Sequence, residues 1–208
     1  MDKLFMNNLV KLTGMIISEP VFDHESNGEK FYKAFLEVKR LSDTEDVIPL
    51  LISERGFDLD DIVGKRVDVV GQFRSHNWHD GEKSRLLLNV FVTELYDSDS
   101  EKDVNRIILD GYIAKEPTYR ETPRGREITD VLFAVNREYG KSDYIPCIVW
   151  GRNAVYASGL PVGTHLKLTG RIQNRNYTKR YPDGTEENRT AYEVSVSKIE
   201  EVSDEDEA

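Results

Sequence analysis

DYIPCIVWGR (143–152) and, ninety-seven residues earlier, DVIPLLISER (46–55) share one pattern. In the later stretch, alternation places Tyr144, Pro146, Ile148 and Trp150 on one face of a strand and Ile145, Cys147 and Val149 on the other. The second face is aliphatic and reads as core. The first carries two large aromatics, and cations follow at Arg152, Arg171 and Arg175.

The same spacing extends outward in both directions. VKLTGMIISEPVF (10–22) reappears as ILDGYIAKEPTY within 108–119, with Gly14 against Gly111 and Pro20 against Pro117. EVKR (37–40) matches AVNR (134–137) at the same offset of 97. After a shift of two, VGKRVDVVGQF (63–73) matches VGTHLKLTGRI (162–172), with Gly71 against Gly170. A DG turn follows in each half, Asp80-Gly81 and Asp183-Gly184, and each half closes on an alternating strand. Offsets held over some ninety residues mark a tandem duplication.

Each unit reads as three strands, a short helix and a long hairpin. In the second unit these fall at 106–116, 128–138, 143–150, 152–160, 165–178 and 189–199. The helix over 152–160 stops near Gly159 and Pro161; its counterpart at 57–64 is short and acidic. Glycines inside strands, at 14, 71, 111 and 170, suit the bulges and bends of a small barrel. Five strands with a helix between the third and fourth is the order of an OB-fold. The expected fold is therefore all-β: two tandem OB-folds, five-stranded Greek-key barrels over 1–96 and 106–200. An acidic, Ser-rich linker (97–105) joins them, read as flexible or simply solvated, and an acidic tail (201–208) ends the chain.

Composition narrows the chemistry. The 208 residues carry a net charge of −10, but 106–192 holds fourteen Lys and Arg against ten Asp and Glu. One basic segment thus sits inside an acidic protein, and it contains the aromatic strand. Exposed aromatics beside cations fit a platform for unstacked bases, since each base has a π-face and each nucleotide a phosphate. The single cysteine, Cys147, lies inside an apolar strand with no neighbouring His, which argues against a nucleophile or a disulfide within the chain. His76 and His79 stand beside Asp80, but three-residue spacing on a strand sends them to opposite faces, so no metal is expected. No carboxylate pair or Gly-rich phosphate loop suggests an enzyme, and no cofactor is expected. The N-terminus is too short and polar for a secretory signal and no apolar run approaches a membrane span, so the expectation is a cytoplasmic protein.

FAVNREY (133–139), DYIPCIVWGR (143–152) and LKLTGRIQNRNY (166–177), in that order and spacing, resemble the bacterial-type single-stranded DNA-binding proteins. The resemblance implies an OB-fold that wraps single-stranded DNA without strong sequence preference, stacking bases on Tyr139, Tyr144, Trp150 and Tyr177. Arg137, Lys141, Arg152, Arg171 and Arg175 lie within a few residues of those rings and are the expected phosphate contacts, with Lys179 and Arg180 leading into the hairpin tip and PRGRE (123–127) a basic turn beside them. The first unit departs from the pattern. Val47, Ser53 and Ser42 stand opposite Tyr144, Trp150 and Tyr139, and only Trp78, opposite Tyr177, keeps its aromatic. It reads as a degenerate copy serving mostly assembly, with Trp78 a residual contact.

The tail lacks the Pro-Phe-type tip by which family members recruit replication and repair enzymes. Members with one OB-fold act as tetramers, so two folds per chain imply a homodimer of four. The competing reading is a protein-interaction OB module, such as a primosome-type accessory factor, because aromatics and Arg are equally favoured at protein interfaces.

Overall fold

Two barrels lie side by side along the chain, joined by a single strand pair. The computed structural model describes residues 7–42, 44–80, 83–137, 140–181 and 183–202. The first barrel comprises β1 (Asn8–Ile16), β2 (Val21–Ser26), β3 (Glu29–Lys39), β4 (Glu45–Ser53), β5 (Arg66–Asp80) and β6 (Lys83–Asp97). The second comprises β7 (Val104–Ile113), β8 (Thr118–Glu121), β9 (Glu127–Asn136), β10 (Ser142–Trp150), helix α1 (Arg152–Ser158), β11 (His165–Arg180) and β12 (Glu186–Glu201). Strands β2 and β8 are additions to the five expected per unit; each folds back as a hairpin on the strand after it.

Both barrels close by the OB rule. β1 pairs antiparallel with β5 and then with β3, β3 with β4, and β4 runs parallel to β6 before β6 returns to β5. β7, β9, β10, β12 and β11 repeat that ring. One strand serves two neighbours only if it bends sharply, and the sequence puts glycine there. A Cβ on Gly14 would stand 2.2 Å from the Glu37 carbonyl oxygen, and one on Gly111 2.2 Å from that of Ala134. Gly71 and Gly170 occupy the register shifts of β5 and β11, as expected of bulges. Leu12, Leu36, Ile48 and Phe73 fill the first barrel; Leu109, Phe133, Ile145 and Ile172 fill the second.

The helix forms in the second unit alone. α1 buries Ala154 and Ala157, and the Thr129 hydroxyl donates to the Ala154 carbonyl at 2.7 Å. At 57–64 the acidic residues capture the main chain instead. The Asp58 carboxylate accepts the Asp60 N–H at 3.0 Å, and Asp61 takes a left-handed φ of 55°. The expectation of a helix in each unit is corrected accordingly.

The acidic connection is not a loose tether. Between β6 and β7, the Asp103 carboxylate accepts the Lys39 N–H at 2.6 Å and binds the Arg66 guanidinium, which also donates to the Ser100 carbonyl. Those bonds fasten the segment to the first barrel. The acidic tail beyond Val202 lies outside the described residues.

Sequence reading did not anticipate how the barrels join. β1 and β7 pair antiparallel from Asn8↔Leu109 to Thr13↔Val104, so Val10 faces Ile107, its own counterpart at an offset of 97. A local two-fold therefore runs through that pair, and the side chains obey it. The Asn8 amide donates to the Phe73 carbonyl (2.8 Å) and accepts its N–H (2.9 Å); Asn105 does the same for Ile172 (2.7 and 2.9 Å). Arg40 grips the buried Asp46 through Nε (2.7 Å) and Nη2 (2.6 Å), and Asp46 and Val47 hold the main chain and amide of Asn174 on β11. Arg137 grips the buried Asp143 in the same way and also donates to the Ser75 carbonyl on β5 at 2.8 Å. Each hairpin thus crosses onto the other barrel, held by a forked Arg–Asp pair.

Candidate nucleic-acid interface

One basic groove is built around Trp150. β10 ends there, between β9, where Ile128 is its cross-strand partner, and β12, to which β10 runs parallel. Core residues at 145, 147 and 149 force position 150 outward, so the indole stays 37% exposed. Its Nε1–H donates to the Ser195 hydroxyl at 3.1 Å, fixing the ring's tilt. Arg126, Arg171 and Arg175 of the second barrel and Arg40 of the first line the same groove, with Asn105, Gln173 and Asn174 along its floor; its volume is about 770 Å3. Loss of hydration, and then the neighbouring Arg40 guanidinium, lower the pKa of Arg171 against the opposing pull of Asp46.

Arg126 reaches the groove because the turn before it is specified locally. Gly125 takes φ of 71°, the Thr122 hydroxyl accepts the Arg126 N–H at 3.0 Å, and Gly151 closes the end of β10 onto the Glu127 carbonyl. The same turn and Trp150 frame a second, shallower recess.

A further cleft of about 570 Å3 lies between the barrels and collects Tyr144, Arg137 and Lys141 with His76, Asn77 and Leu86 of the first. Tyr144 is 46% exposed there. Arg137, expected as a phosphate contact, has most of its fork committed to Asp143 and Ser75, so its first task is structural. Tyr177 sits on the long hairpin with the Arg175 guanidinium 5.6 Å from its ring centroid. Arg152 opens α1, exposed, and does not line the Trp150 groove. Tyr139 lies outside the described residues. Trp78, 42% exposed, lines a third groove of about 920 Å3 on the first barrel, with Phe31, Phe91, Arg74 and Arg85.

The nine expected residues that the structure describes therefore separate into neighbouring stations rather than one face. Arg40, Arg74 and Phe91 escaped sequence reading. The EVKR/AVNR match already set Arg40 opposite Arg137, which was the available signal. Among the described residues no three His, Cys, Asp or Glu gather as metal ligands, and no helix is long and apolar enough to cross a membrane. Burial pushes the Cys147 thiol far above its ordinary pKa.

Paired five-stranded barrels whose grooves combine exposed aromatics with clustered arginines define a tandem OB-fold protein. The fold as a whole is that of the wild-type single-stranded DNA binding protein from Thermus aquaticus, with a TM-score of 0.75 and 21% identity over 94% of this chain and 93% of that one. A deletion mutant of the same protein aligns at 0.73, covering 95% of each. Residues 104–202, the second barrel, match the model of the single-strand binding protein family. Curated relatives include "Single-stranded DNA-binding protein 2" of Listeria innocua, 37% identical over 81 residues, and "Single-stranded DNA-binding protein A" of Bacillus subtilis, 36% identical over 81 residues. Each alignment takes in 36% of this chain, and 51% and 47% of those proteins; the chain spans about half the length of the curated relatives it matches.

Proposed function

We propose that this protein binds single-stranded DNA without sequence preference and shields it during replication, recombination or repair. The observation that carries this reading is the Trp150 groove, which four arginines line together with one exposed indole. Stacking contributes on the order of 1–3 kcal/mol per base and tolerates any base, while the arginines neutralise phosphates. Tyr144 and Lys141 continue the track into the cleft between the barrels. Tyr177 and Arg175 extend it along the hairpin, and the reading retains Arg152 and Tyr139 as further contacts. The reading includes a homodimer presenting four barrels, by analogy with single-barrel family members, and a cytoplasmic setting without enzymatic activity. A mass in solution of one chain would remove the dimer.

Titrating tryptophan fluorescence with oligo-dT at low and high salt tests the binding. Saturable quenching that is lost on adding salt is the expected result, with a log–log slope of about −0.7 per contacted phosphate. No quenching at low salt would overturn the reading in favour of a protein-interaction module, whose docking salt weakens far less.

A further inference from the structure

The first barrel reads in sequence as a degenerate copy, because Ser53 replaces Trp150. The structure sets other rings beside that position, Phe91 half-buried and Phe31 only 9% exposed. Ser53 faces Phe31 across the β3–β4 pair, where Trp150 faces Ile128 in the second barrel. On the other side, Phe91 pairs with Gln72 as Ser195 pairs with Arg171. Two rings on flanking strands therefore surround the spot that one indole occupies in the other barrel, their centroids 6.0 Å apart.

Both rings are roofed by groups that themselves stack. The Arg74 guanidinium lies 3.8 Å from the Phe91 centroid, and the His24 ring lies 4.9 Å from that of Phe31, tilted by only 13°. A guanidinium plane or an imidazole carries a base on its outer face as an aromatic ring does. Trp78 stands in the same groove with Arg74, Lys33, Arg85, Arg137 and Lys141, of which Lys33 pairs with Asp23, Arg85 with Glu187 and Arg137 with Asp143. Charge and ring content fit a single-stranded nucleic acid.

One substitution within the repeat distinguishes the two grooves. His76 occupies the place of Arg175, ninety-nine residues on. The Trp150 groove holds arginines and no histidine among its lining residues, so its charge is fixed at every physiological pH. The first groove holds a group that titrates. We propose that the groove of the first barrel is a second binding site for single-stranded nucleic acid, strengthened when His76 is protonated. The inference rests on the DNA-binding reading above and adds a site and its control.

The surroundings set the direction. Partial burial, with Lys33, His24 and Arg137 nearby, holds His76 below its ordinary pKa against the opposing pull of Asp23. Arg74 on its own strand, Arg85 on β6 and Lys141 beside β10 add to the positive field. At neutral pH the imidazole is therefore uncharged. A phosphate in the groove stabilises the imidazolium, so binding takes up a proton and tightens as pH falls. An imidazole whose pKa rises by one unit on binding contributes up to about tenfold in affinity.

The chain has two tryptophans, so Trp150→Phe leaves Trp78 as the sole reporter of the first groove and Trp78→Phe leaves Trp150 for the second. Each is titrated with oligo-dT at about pH 5.5 and 7.5 and constant ionic strength, against protein without DNA; thymine itself does not titrate in that range. Quenching of Trp78 is expected at roughly tenfold lower oligonucleotide concentration at the acidic pH, with Trp150 much less affected. Adding His76→Gln should remove most of that difference, and His76→Arg should give the tight value at both pH values. Trp78 quenching that is absent, or equally strong at both pH values, overturns the proposal. So does a full pH difference surviving in His76→Gln, which would assign it to His24 in the same groove or to the falling negative charge of the whole chain. If Trp150 is quenched normally in those cases, only the second site has failed. Silence of both tryptophans removes the DNA-binding reading and the proposal together.

Discussion

Asp143→Ala tests the clamp that holds the two barrels in register. The carboxylate is 1% exposed and accepts from Arg137 Nε and Nη2 and from the Ser75 N–H. Removing one partner of a buried ion pair costs about 3–5 kcal/mol. Because the Arg137 side chain is 28% exposed, water reaches its far edge, and the lower end, about 3 kcal/mol, applies. Stranding the Ser75 N–H adds about 1 kcal/mol. The sum, about 4 kcal/mol, lowers the melting temperature of a chain this size by about 10 °C. Calorimetry of the variant beside the parent measures it directly. The local two-fold adds a second condition: Asp46→Ala, whose carboxylate is fully buried against Arg40, should fall within about 1 kcal/mol of Asp143→Ala. A loss under about 2 °C in either variant would refute the assignment of these pairs as clamps.

Three other outcomes follow from the same geometry. Trp150→Ala should weaken oligo-dT binding by about five- to 150-fold at neutral pH, the equivalent of 1–3 kcal/mol for one stacked base, with an unchanged melting temperature; anisotropy titration reads it. Gly111→Ala places a Cβ 2.2 Å from the Ala134 carbonyl, so β7 must move off β9, and a loss of at least about 2 kcal/mol is expected in denaturant unfolding. Glu187 is held down to about 2 by hydrogen bonds from Arg189 and Tyr181. Its folded pKa is below its unfolded one, so its contribution is present above the ordinary carboxylate range and fades as pH falls toward 2. Glu187→Gln should accordingly be slightly less stable than the parent at pH 7 and equal to it near pH 2 in a pH series of melts.

Much of the fold was legible because it is repetitive. Glycines at fixed offsets marked the bends, and alternation in 143–150 marked which side of β10 is core. Tyr144 and Trp150 emerged where that alternation put them, although Ile148 on the same face is covered and only 5% exposed. What escaped depends on contacts far apart in sequence. Nothing local to Asn8 or Asn105 says that their amides brace β5 and β11. Arg137 looked like a phosphate contact because its partner's burial is a property of the assembled barrels. Matching positions one to one also passes over rings that flank position 53: Phe31 and Phe91 stand on strands that only the sheet makes neighbours. The failed helix at 57–64 has a local cause, the Asp58 carboxylate holding the Asp60 N–H and Asp61 turning left-handed.

The pairing of Val10 with Ile107 has a genetic reading as well. In a symmetric dimer of identical barrels, one codon change alters both sides of the axis at once. Here the two sides are encoded separately, so an arginine on one can face a histidine on the other, and each can drift or specialise without its twin. Linking the halves through β1 and β7 gives a two-fold geometry without requiring the two surfaces to be the same.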